Sequence, residues 1–290
     1  MGLFKKIFSK ESCILCGNEV GSLSRKRLGD ETVICKDCAK RLSPFFDDFE
    51  NSDASAIKAQ VADRQANVTR LATFAIDECY GFEDAVLIDR HNGQFCVNQG
   101  GGGITYESPG SLIGPNPDVV SVKAITSIEV EGAGWSCHEV KHSVNGEQVS
   151  YSPRRYEYPC NVTLVIRVDH PYIETMTARI NRGTIHITTE GERLRNADAR
   201  RSRTAGQATA DWLLGRTVDV ENSAETWADN SLGARLTRPV TRAFANPFTD
   251  MPDYAYGFKC SPENWHRIQE YDRCMQAAEA ARFTLLELRG

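Results

Sequence analysis

The sequence predicts an α+β protein, in which a small cysteine-rich module, a helical linker, an antiparallel sheet and a C-terminal helix follow one another. Two closely spaced cysteine pairs lie near the N-terminus. Between residues 74 and 190 apolar residues alternate with polar ones, which is the period of a half-buried strand. Residues 261–288 instead carry a broad apolar face with helical spacing. Short strands followed by one long amphipathic helix are typical of a sheet covered by that helix.

The overall composition is that of an ordinary globular protein. A length of 290 residues suits about two domains, and the net charge is -5. A protein that binds nucleic acid over most of its surface usually has a basic excess, so this charge argues against that class. No segment reaches the ~18–20 consecutive apolar residues of a membrane span, and the N-terminus lacks the apolar core of a signal peptide. The expected location is therefore cytoplasmic.

Residues 1–10 are predicted to form a short amphipathic tail, with apolar residues on one face and lysines on the others. Ten residues are too few for a stable isolated helix in water. A tail that is free, or that docks on the body of the protein, is the favoured interpretation. Contact with a membrane surface is the alternative, because basic and apolar residues together suit an interfacial helix. The residues that would make this contact are Leu3, Phe4, Lys5, Lys6, Ile7 and Phe8.

Four cysteines have the spacing of metal ligands. Cys13 and Cys16 form one Cys-x-x-Cys pair, and Cys35 and Cys38 form a second. Each pair can present two thiolates to one ion from a tight turn, and two pairs complete a tetrahedral sulfur shell. Such a shell selects zinc or an iron centre over harder metals. An iron site of the rubredoxin kind normally has glycine after both pairs, but Ala39 follows Cys38, so we predict one zinc ion. With no ligand position left open, this zinc is structural rather than catalytic.

The residues around the cysteines predict a zinc module of the treble-clef type over residues 11–46. Residues 20–24 and 32–34 can pair as a hairpin, and the second cysteine pair leads into a short helix that ends near Pro44. About 35 residues cannot bury enough apolar surface to fold alone. Structural zinc supplies on the order of 10 kcal/mol of folding free energy, so we expect the metal to hold this module together.

Residues 47–73 are predicted to be a helical linker. Within it, residues 53–73 place Ile57, Val61, Val68 and Leu71 at helical spacing, and Asp53 or Ser55 can cap the start. The sheet follows, and Asn92-Gly93 is a strong hairpin signal. Residues 191–255 lack clear periodicity and are interpreted as an insertion. The final helix is predicted to begin at Ser261, with proline in its first turn. The predicted strands are residues 85–90, 94–97, 119–122, 125–130, 160–168, 172–180 and 184–187.

Enzyme motifs are not evident. The glycine run at residues 100–103 lacks the lysine of a phosphate-binding loop. Cys137, His138 and His142 resemble metal-ligand spacing, but no second pair lies nearby in the sequence. We therefore predict that the protein is not an enzyme and infer no small-molecule substrate. The remaining cysteines are interpreted as buried thiols of a reduced protein. They are Cys79, Cys96, Cys137, Cys160, Cys260 and Cys274.

A basic run lies inside the predicted insertion and could contact phosphate groups. Acidic residues are interspersed in it, and solvated helix faces commonly have this composition, so a solvated surface is the favoured interpretation. The arginines of this run are Arg193, Arg195, Arg200, Arg201 and Arg203.

The segments CILCG and CKDCAKRLSPFF resemble a bacterial domain family of unknown function that is defined by two Cys-x-x-Cys pairs. Members often continue with a helical linker and a pleckstrin-homology-like (PH-like) barrel. The segments AVLIDRHNGQFCV, PDVVSVKAITSIEVE and VTLVIRVDHPYIETMTARIN look like the strands of that barrel. The resemblance implies a PH-like barrel over residues 74–290, capped by the terminal helix, with residues 191–255 departing from the pattern. It implies four zinc ligands and a binding scaffold, and no catalytic residues.

These observations favour a zinc-binding, non-catalytic adaptor that binds a protein or peptide, because a barrel of this kind offers a sheet edge and a groove for peptide docking. Two alternatives remain. The first is a peripheral membrane protein in which the N-terminal tail and the barrel contact anionic lipid. The second is a nucleic-acid-binding zinc protein that uses the arginine run.

Overall fold

The computed structural model describes residues 10–103, 106, 109–194 and 251–290. The chain divides into two compact units. The first comprises the described residues of Met1–Glu129, Leu164–Ala178 and Ala281–Gly290, and the second those of Val130–Thr163 and Arg179–Ala280. The predicted membrane-contact residues and most of the predicted insertion lie outside the described residues.

The cysteine module, at the start of the first unit, is built from two short antiparallel pairs and one turn of helix. Strand β1 (Glu11–Ser12) pairs with β2 (Glu19–Val20). Strand β3 (Arg25–Arg27) pairs with β4 (Val33–Cys35), which leads directly into helix α1 (Lys36–Ala39). The β3–β4 hairpin begins later than predicted, since residues 22–24 form a 3₁₀ turn. Arg25 and Arg27, on the same face of β3, each form an ion pair with Glu11 of β1, so they link the two antiparallel pairs.

The predicted linker helix is present as α2 (Ala54–Ala72). Its N-terminus is capped by Asp53, whose Oδ1 accepts a hydrogen bond of 2.7 Å from the backbone N–H of Ala56. Near this end, Ile57 and Val61 pack into the core of the cysteine module. Near the other end, Leu71 packs into a second core, beside the first sheet. One helix therefore contributes to two separate apolar clusters of the first unit.

Between those clusters, α2 presents buried polar groups. Arg64 donates to Asp118 Oδ1 at 2.8 Å, and Asp118 Oδ2 accepts from the Ser43 hydroxyl at 2.7 Å. Asn67 donates to the carbonyl of Pro117 and accepts from the N–H of Val119. These bonds join the end of the cysteine module, the helix and the loop that leads into the first sheet.

The first sheet has the strand order β5-β6-β7-β8, and every pair is antiparallel. The predicted hairpin around Asn92-Gly93 is present between β6 and β7, with Gly93 in the left-handed region at φ 60°. This sheet covers an apolar cluster that includes Phe74 and Leu87. The strands are β5 (Glu78–Tyr80), β6 (Ala85–Asp89), β7 (Gln94–Asn98) and β8 (Val120–Ser121).

The predicted strand of residues 160–168 is interrupted. Residues 161 and 162 separate the end of one strand at Cys160 from the start of another at Thr163. The backbone N–H of Val162 donates to the Asn181 side chain instead of a neighbouring strand. The later strand joins a sheet with the order β13-β12-β9. Its members are β9 (Ile125–Glu131), β12 (Thr163–Val168) and β13 (Thr175–Arg179).

A long hairpin in the second unit escaped the sequence analysis. Strand β10 (His138–Val144) pairs with β11 (Glu147–Cys160), which also pairs with β14 (Ile185–Glu190). The turn is Asn145-Gly146, with φ of 52° and 88°. The same dipeptide, Asn-Gly, predicts the hairpin at Asn92-Gly93. The polar, exposed strands around this turn lack the apolar alternation on which the prediction relied. A last pair joins β15 (Tyr254–Ala255) to β16 (Phe258–Lys259).

The C-terminal helix is present as α3 (Trp265–Arg289), and it begins four residues after the predicted start. In the turn before the helix, the Oδ1 of Asn264 accepts from the N–H of Ser261 while its Nδ2 donates to the carbonyls of Thr188 and Lys259. These bonds hold residues 262–264 in a turn. In the first unit, the far end of the helix is bonded to the sheets through Thr284 and Arg289.

The predicted mixture of antiparallel strands with a C-terminal helix is confirmed, but the predicted barrel is not observed. The described strands form separate small sheets of two to four members, and none of these closes on itself. Breaks such as that at residues 161–162 and the polar β10–β11 hairpin interrupt the continuous ladder that closure requires. Among the described helices, none combines the length and apolar character needed to cross a membrane.

Candidate metal centre

The first cysteine pair is presented by a tight turn after β1. The N–H of Cys13 donates to the carbonyl of Asn18 at 3.0 Å, and the N–H of Gly17 donates to the carbonyl of Cys13 at 2.8 Å. Gly17 adopts φ +73°, a left-handed conformation that side chains disfavour. An added Cβ would meet nothing within 4 Å, so no steric clash accounts for this glycine. The backbone conformation alone favours it.

The second pair lies where a strand becomes a helix. Cys35 ends β4 and is the N-cap of α1, and its sulfur accepts from the N–H of Cys38 at 3.3 Å. The N–H of Cys35 donates in turn to the sulfur of Cys13 at 3.3 Å. Backbone N–H groups directed at sulfur favour the thiolate form, which is the form that binds metal.

These two turns bring the four sulfur atoms together, all within 4.8 Å of one another, so Cys13, Cys16, Cys35 and Cys38 could hold a metal ion. Cys16 is exposed, and the other three are buried. Zinc–sulfur bonds of about 2.3 Å in a tetrahedron place neighbouring sulfurs about 3.8 Å apart. The Sγ atoms of Cys16 and Cys35 are 3.9 Å apart, a separation that fits such a shell.

Two thiols of the cluster have shifted pKa values. Burial alone would raise the pKa of Cys13, but backbone N–H groups of Cys35, Cys16 and Leu15 donate to its sulfur and lower the pKa to about 6. For Cys38, burial and hydrogen bonding with the neighbouring thiols raise the pKa to about 12. A metal ion that binds here would therefore have to displace the proton of Cys38.

Metal affinity is consequently expected to increase with pH. Because Cys38 keeps its proton until an ion binds, each binding event releases at least one proton. The apparent affinity for Zn²⁺ should rise about tenfold or more per pH unit between about pH 6 and pH 8. Competition with a chelator of known proton affinity measures this slope. A flat profile would contradict the assignment of Cys38 as a ligand.

The core of the module combines three of the four cysteines with apolar side chains. Five buried apolar side chains pack with these cysteines, two of them from the linker helix, and partly buried apolar residues surround the group. The buried residues that pack with the cysteines are Leu28, Ile34, Leu42, Ile57 and Val61.

The turn of the β3–β4 hairpin also fastens the module to the start of α2. Gly29 donates to the carbonyl of Ser52, and an added Cβ at Gly29 would approach the carbonyl oxygen of Glu50 to 2.5 Å. Asp30 accepts from the N–H of Ala54 at 2.9 Å. The hairpin and the first turn of the helix are thereby held in contact.

The other sequence-predicted sites have a different outcome. Within the described ranges, no other group of three or more potential ligands comes together as the four cysteines do. His138 lies beside Glu157, and His142 packs on the ring of Tyr151. Of the remaining cysteines, Cys79 and Cys137 are exposed, contrary to prediction. Cys79 lies on the outward face of β5, and Cys137 lies in the loop before β10. The other four are buried.

Of the arginine run, only Arg193 falls among the described residues, while Arg195, Arg200, Arg201 and Arg203 lie outside them. The guanidinium of Arg193 donates to the carbonyls of Ala133, Gly134 and Tyr256. It also lies over the rings of Trp135 and Phe258, 4.5 and 4.6 Å from their centroids. These contacts engage Arg193 within the second unit rather than with an external phosphate.

Sequence reasoning missed the buried polar residues of α2, which are Gln60, Arg64 and Asn67. Their spacing was a usable signal. They share the helical face of Ile57 and Leu71, so the apolar periodicity that predicted the helix also placed them toward the interior. Their burial was not predicted, because only apolar residues served as a sign of burial.

Comparison of the chain with curated proteins and with solved structures gives no match. One family model does match, and it is described as a domain of unknown function, DUF4428. The matched segment contains all four cysteines and continues into the first turns of α2, so it covers most of the cluster around them. The model matches residues 11–60 of the chain.

Proposed function

We propose that the four cysteines bind one structural Zn²⁺ ion in a module of the treble-clef type. The observation that carries this proposal is the convergence of four protein thiols within 4.8 Å. Four sulfur donors complete a tetrahedral shell, so no position remains for water or substrate. Zinc is favoured over iron by Ala39, which replaces the glycine that normally follows the second pair of an iron site. Cysteines held as free thiols suit a reducing compartment, and the proposed location is the cytoplasm.

The proposed role of the whole protein is that of a non-catalytic adaptor that binds a protein or peptide. Structural zinc modules of this size supply a rigid surface rather than reacting groups. Among the described strands, β10 lies at the edge of its sheet, and an exposed edge can accept a peptide as an added strand.

Affinity purification from the native cell, followed by mass spectrometry, tests the adaptor proposal. We expect a defined protein partner with the wild type and its loss from the Cys35→Ser, Cys38→Ser double variant, because that variant cannot hold the metal. Cys79→Ser is the matched control, since Cys79 is an exposed cysteine outside the cluster. It should retain the partner.

If no protein is enriched over background, the adaptor proposal fails. Binding to anionic vesicles and to nucleic acid would then be measured as functions of salt, because phosphate contacts weaken steeply as salt increases. The residues that would carry those two alternatives lie outside the described part of the chain, apart from Arg193.

A further inference from the structure

A cavity of about 910 Å³ lies in the first unit, beside the cysteine module. One wall is formed by the segment that follows the cysteines and by the first turns of α2, and the other by residues 168–174. Phe46 and Ile57 line the cavity and also pack in the core around the cysteines. The metal site therefore supports one wall of this cavity.

Gln60 lines the cavity and has an unusual environment. Its residue is only 2% exposed, yet neither its Nε2 nor its Oε1 has a hydrogen-bond partner. Buried side-chain amides are nearly always paired, because leaving them unpaired costs their full desolvation. Ala56, Gln60 and Asp63 are spaced by about one helical turn and all line the cavity, so Gln60 belongs to the helical face that borders it. An amide in this position is complementary to a ligand that brings both a donor and an acceptor.

The lining is strongly acidic. It contains five carboxylates, and none of the described residues that line it is a lysine or an arginine. Asp63 is bonded to Arg70 and to the hydroxyl of Tyr172. The other four carboxylates belong to exposed residues at the two rims of the cavity, where they would attract a positively charged ligand. They are Asp47, Asp48, Asp169 and Glu174.

Aromatic groups complete the wall opposite the helix. The rings of His170 and Tyr172 meet edge to face, with centroids 4.4 Å apart. The Nδ1 atom of His170 is buried without a hydrogen-bond partner. Burial lowers the pKa of His170 against the opposing influence of Asp63 and Asp118, so the ring adds no positive charge at neutral pH. Aromatic faces beside carboxylates suit an ammonium or guanidinium group.

We propose that this cavity binds a peptide segment carrying a lysine or arginine side chain, with the Gln60 amide bonded to one peptide group and the rim carboxylates facing the cation. A peptide group has one donor and one acceptor, so it can satisfy both unpaired atoms of Gln60. A free ammonium has donors only and would leave Nε2 unpaired. The proposal rests on the adaptor function proposed above, and it assigns that function a site and a partner chemistry.

The decisive variant is Gln60→Leu. Replacing an unpaired buried amide by an apolar side chain of similar volume removes no hydrogen bond of the free protein, so the thermal midpoint should not fall. Peptide affinity should nevertheless fall by roughly tenfold or more, because the bound peptide group loses both partners. The probes are fluorescein-labelled octapeptide libraries with a fixed central lysine or arginine, compared with libraries that have a fixed central glutamate. Binding is measured by fluorescence polarisation.

A second pair of variants tests the charge and does not involve the core. Asp47→Asn with Glu174→Gln changes two exposed carboxylates of the rim, whereas Glu131→Gln with Glu147→Gln makes the same change of net charge at exposed positions away from it. We expect weaker binding of the lysine and arginine libraries in the first pair only. Equal binding of the basic and acidic libraries, or equal loss in both pairs, would overturn the proposal.

Cadaverine distinguishes a peptide from a free amine. If cadaverine displaces the peptide libraries at concentrations similar to those at which the peptides bind, the site recognises an amine alone and the peptide assignment is wrong. A native partner that is captured by the wild type and fully retained by Gln60→Leu would leave the adaptor function standing and remove this cavity as its site. Failure of the adaptor function itself would appear as the absence of any partner.

Discussion

Removal of the metal is expected to unfold the cysteine module and to leave the sheets that follow it folded. The core of this module contains three of the four cysteines and a small number of buried apolar residues, so it has little burial to rely on without an ion. Structural zinc contributes on the order of 10 kcal/mol to domains of this size, which exceeds what the remaining contacts can replace. The second apolar cluster contains none of the metal ligands and should persist.

The boundary between the residues that unfold and those that stay folded is expected to lie within α2. Ile57 and Val61 would lose their packing partners, so the first turns of the helix should fray. From Arg64 onward the helix is held by Asp118 and by the bonds of Asn67, and it should remain protected. We therefore expect fast amide exchange from the first cysteine to about Val61 and unchanged exchange beyond Arg64.

Hydrogen exchange with and without a chelator, and in the Cys35→Ser, Cys38→Ser variant, measures this boundary. Cys79→Ser with metal bound should behave as the wild type does. Protection lost evenly along the whole described chain would mean that the two clusters of the first unit fold as one, and the prediction would be wrong.

Truncation of Arg64 to alanine is expected to have the largest effect of any single change outside the metal site. Its side chain is 8% exposed and that of Asp118 is 4% exposed, so their ion pair is shielded from water. Removing one partner of such a pair leaves an uncompensated buried charge and costs ~3–5 kcal/mol. Arg64 also donates to the carbonyl of Asn116 at 2.5 Å, and this bond would be lost as well. Urea unfolding monitored by circular dichroism gives the change in the free energy of unfolding.

Two controls show whether burial is the cause. Lys40→Ala removes one partner of an exposed ion pair with Asp37 in the same unit, and it should leave the unfolding midpoint nearly unchanged. The double change Arg64→Met, Asp118→Leu removes both charges and should recover part of the stability lost in Arg64→Ala. If Arg64→Ala is no worse than Lys40→Ala, the buried pair does not contribute as we expect.

Features that depend on neighbours in sequence were predictable. The metal cluster follows from two short cysteine pairs, each of which forms a local turn. The helix that begins after Asp53 and the hairpin at Asn92-Gly93 likewise follow from capping and turn chemistry within a few residues. The hairpin at Asn145-Gly146 carries the same turn signal, but its strands are polar and exposed and lack the apolar alternation that indicates a strand.

Features that depend on distant partners were not predictable. The spacing of Gln60, Arg64 and Asn67 indicates that they share the buried face of α2. The partners of Arg64 and Asn67, however, lie about fifty positions away in the sequence, and Gln60 has none among the described residues. Arg193 lies in a basic run that could contact phosphate groups, but its guanidinium instead donates to the carbonyls of residues 133 and 134. The sequence by itself determined the metal cluster, the helices and the local hairpins, because those rest on short-range geometry. Tertiary structure alone decided how the sheets divide and which polar groups are buried, because these depend on which distant segments come into contact.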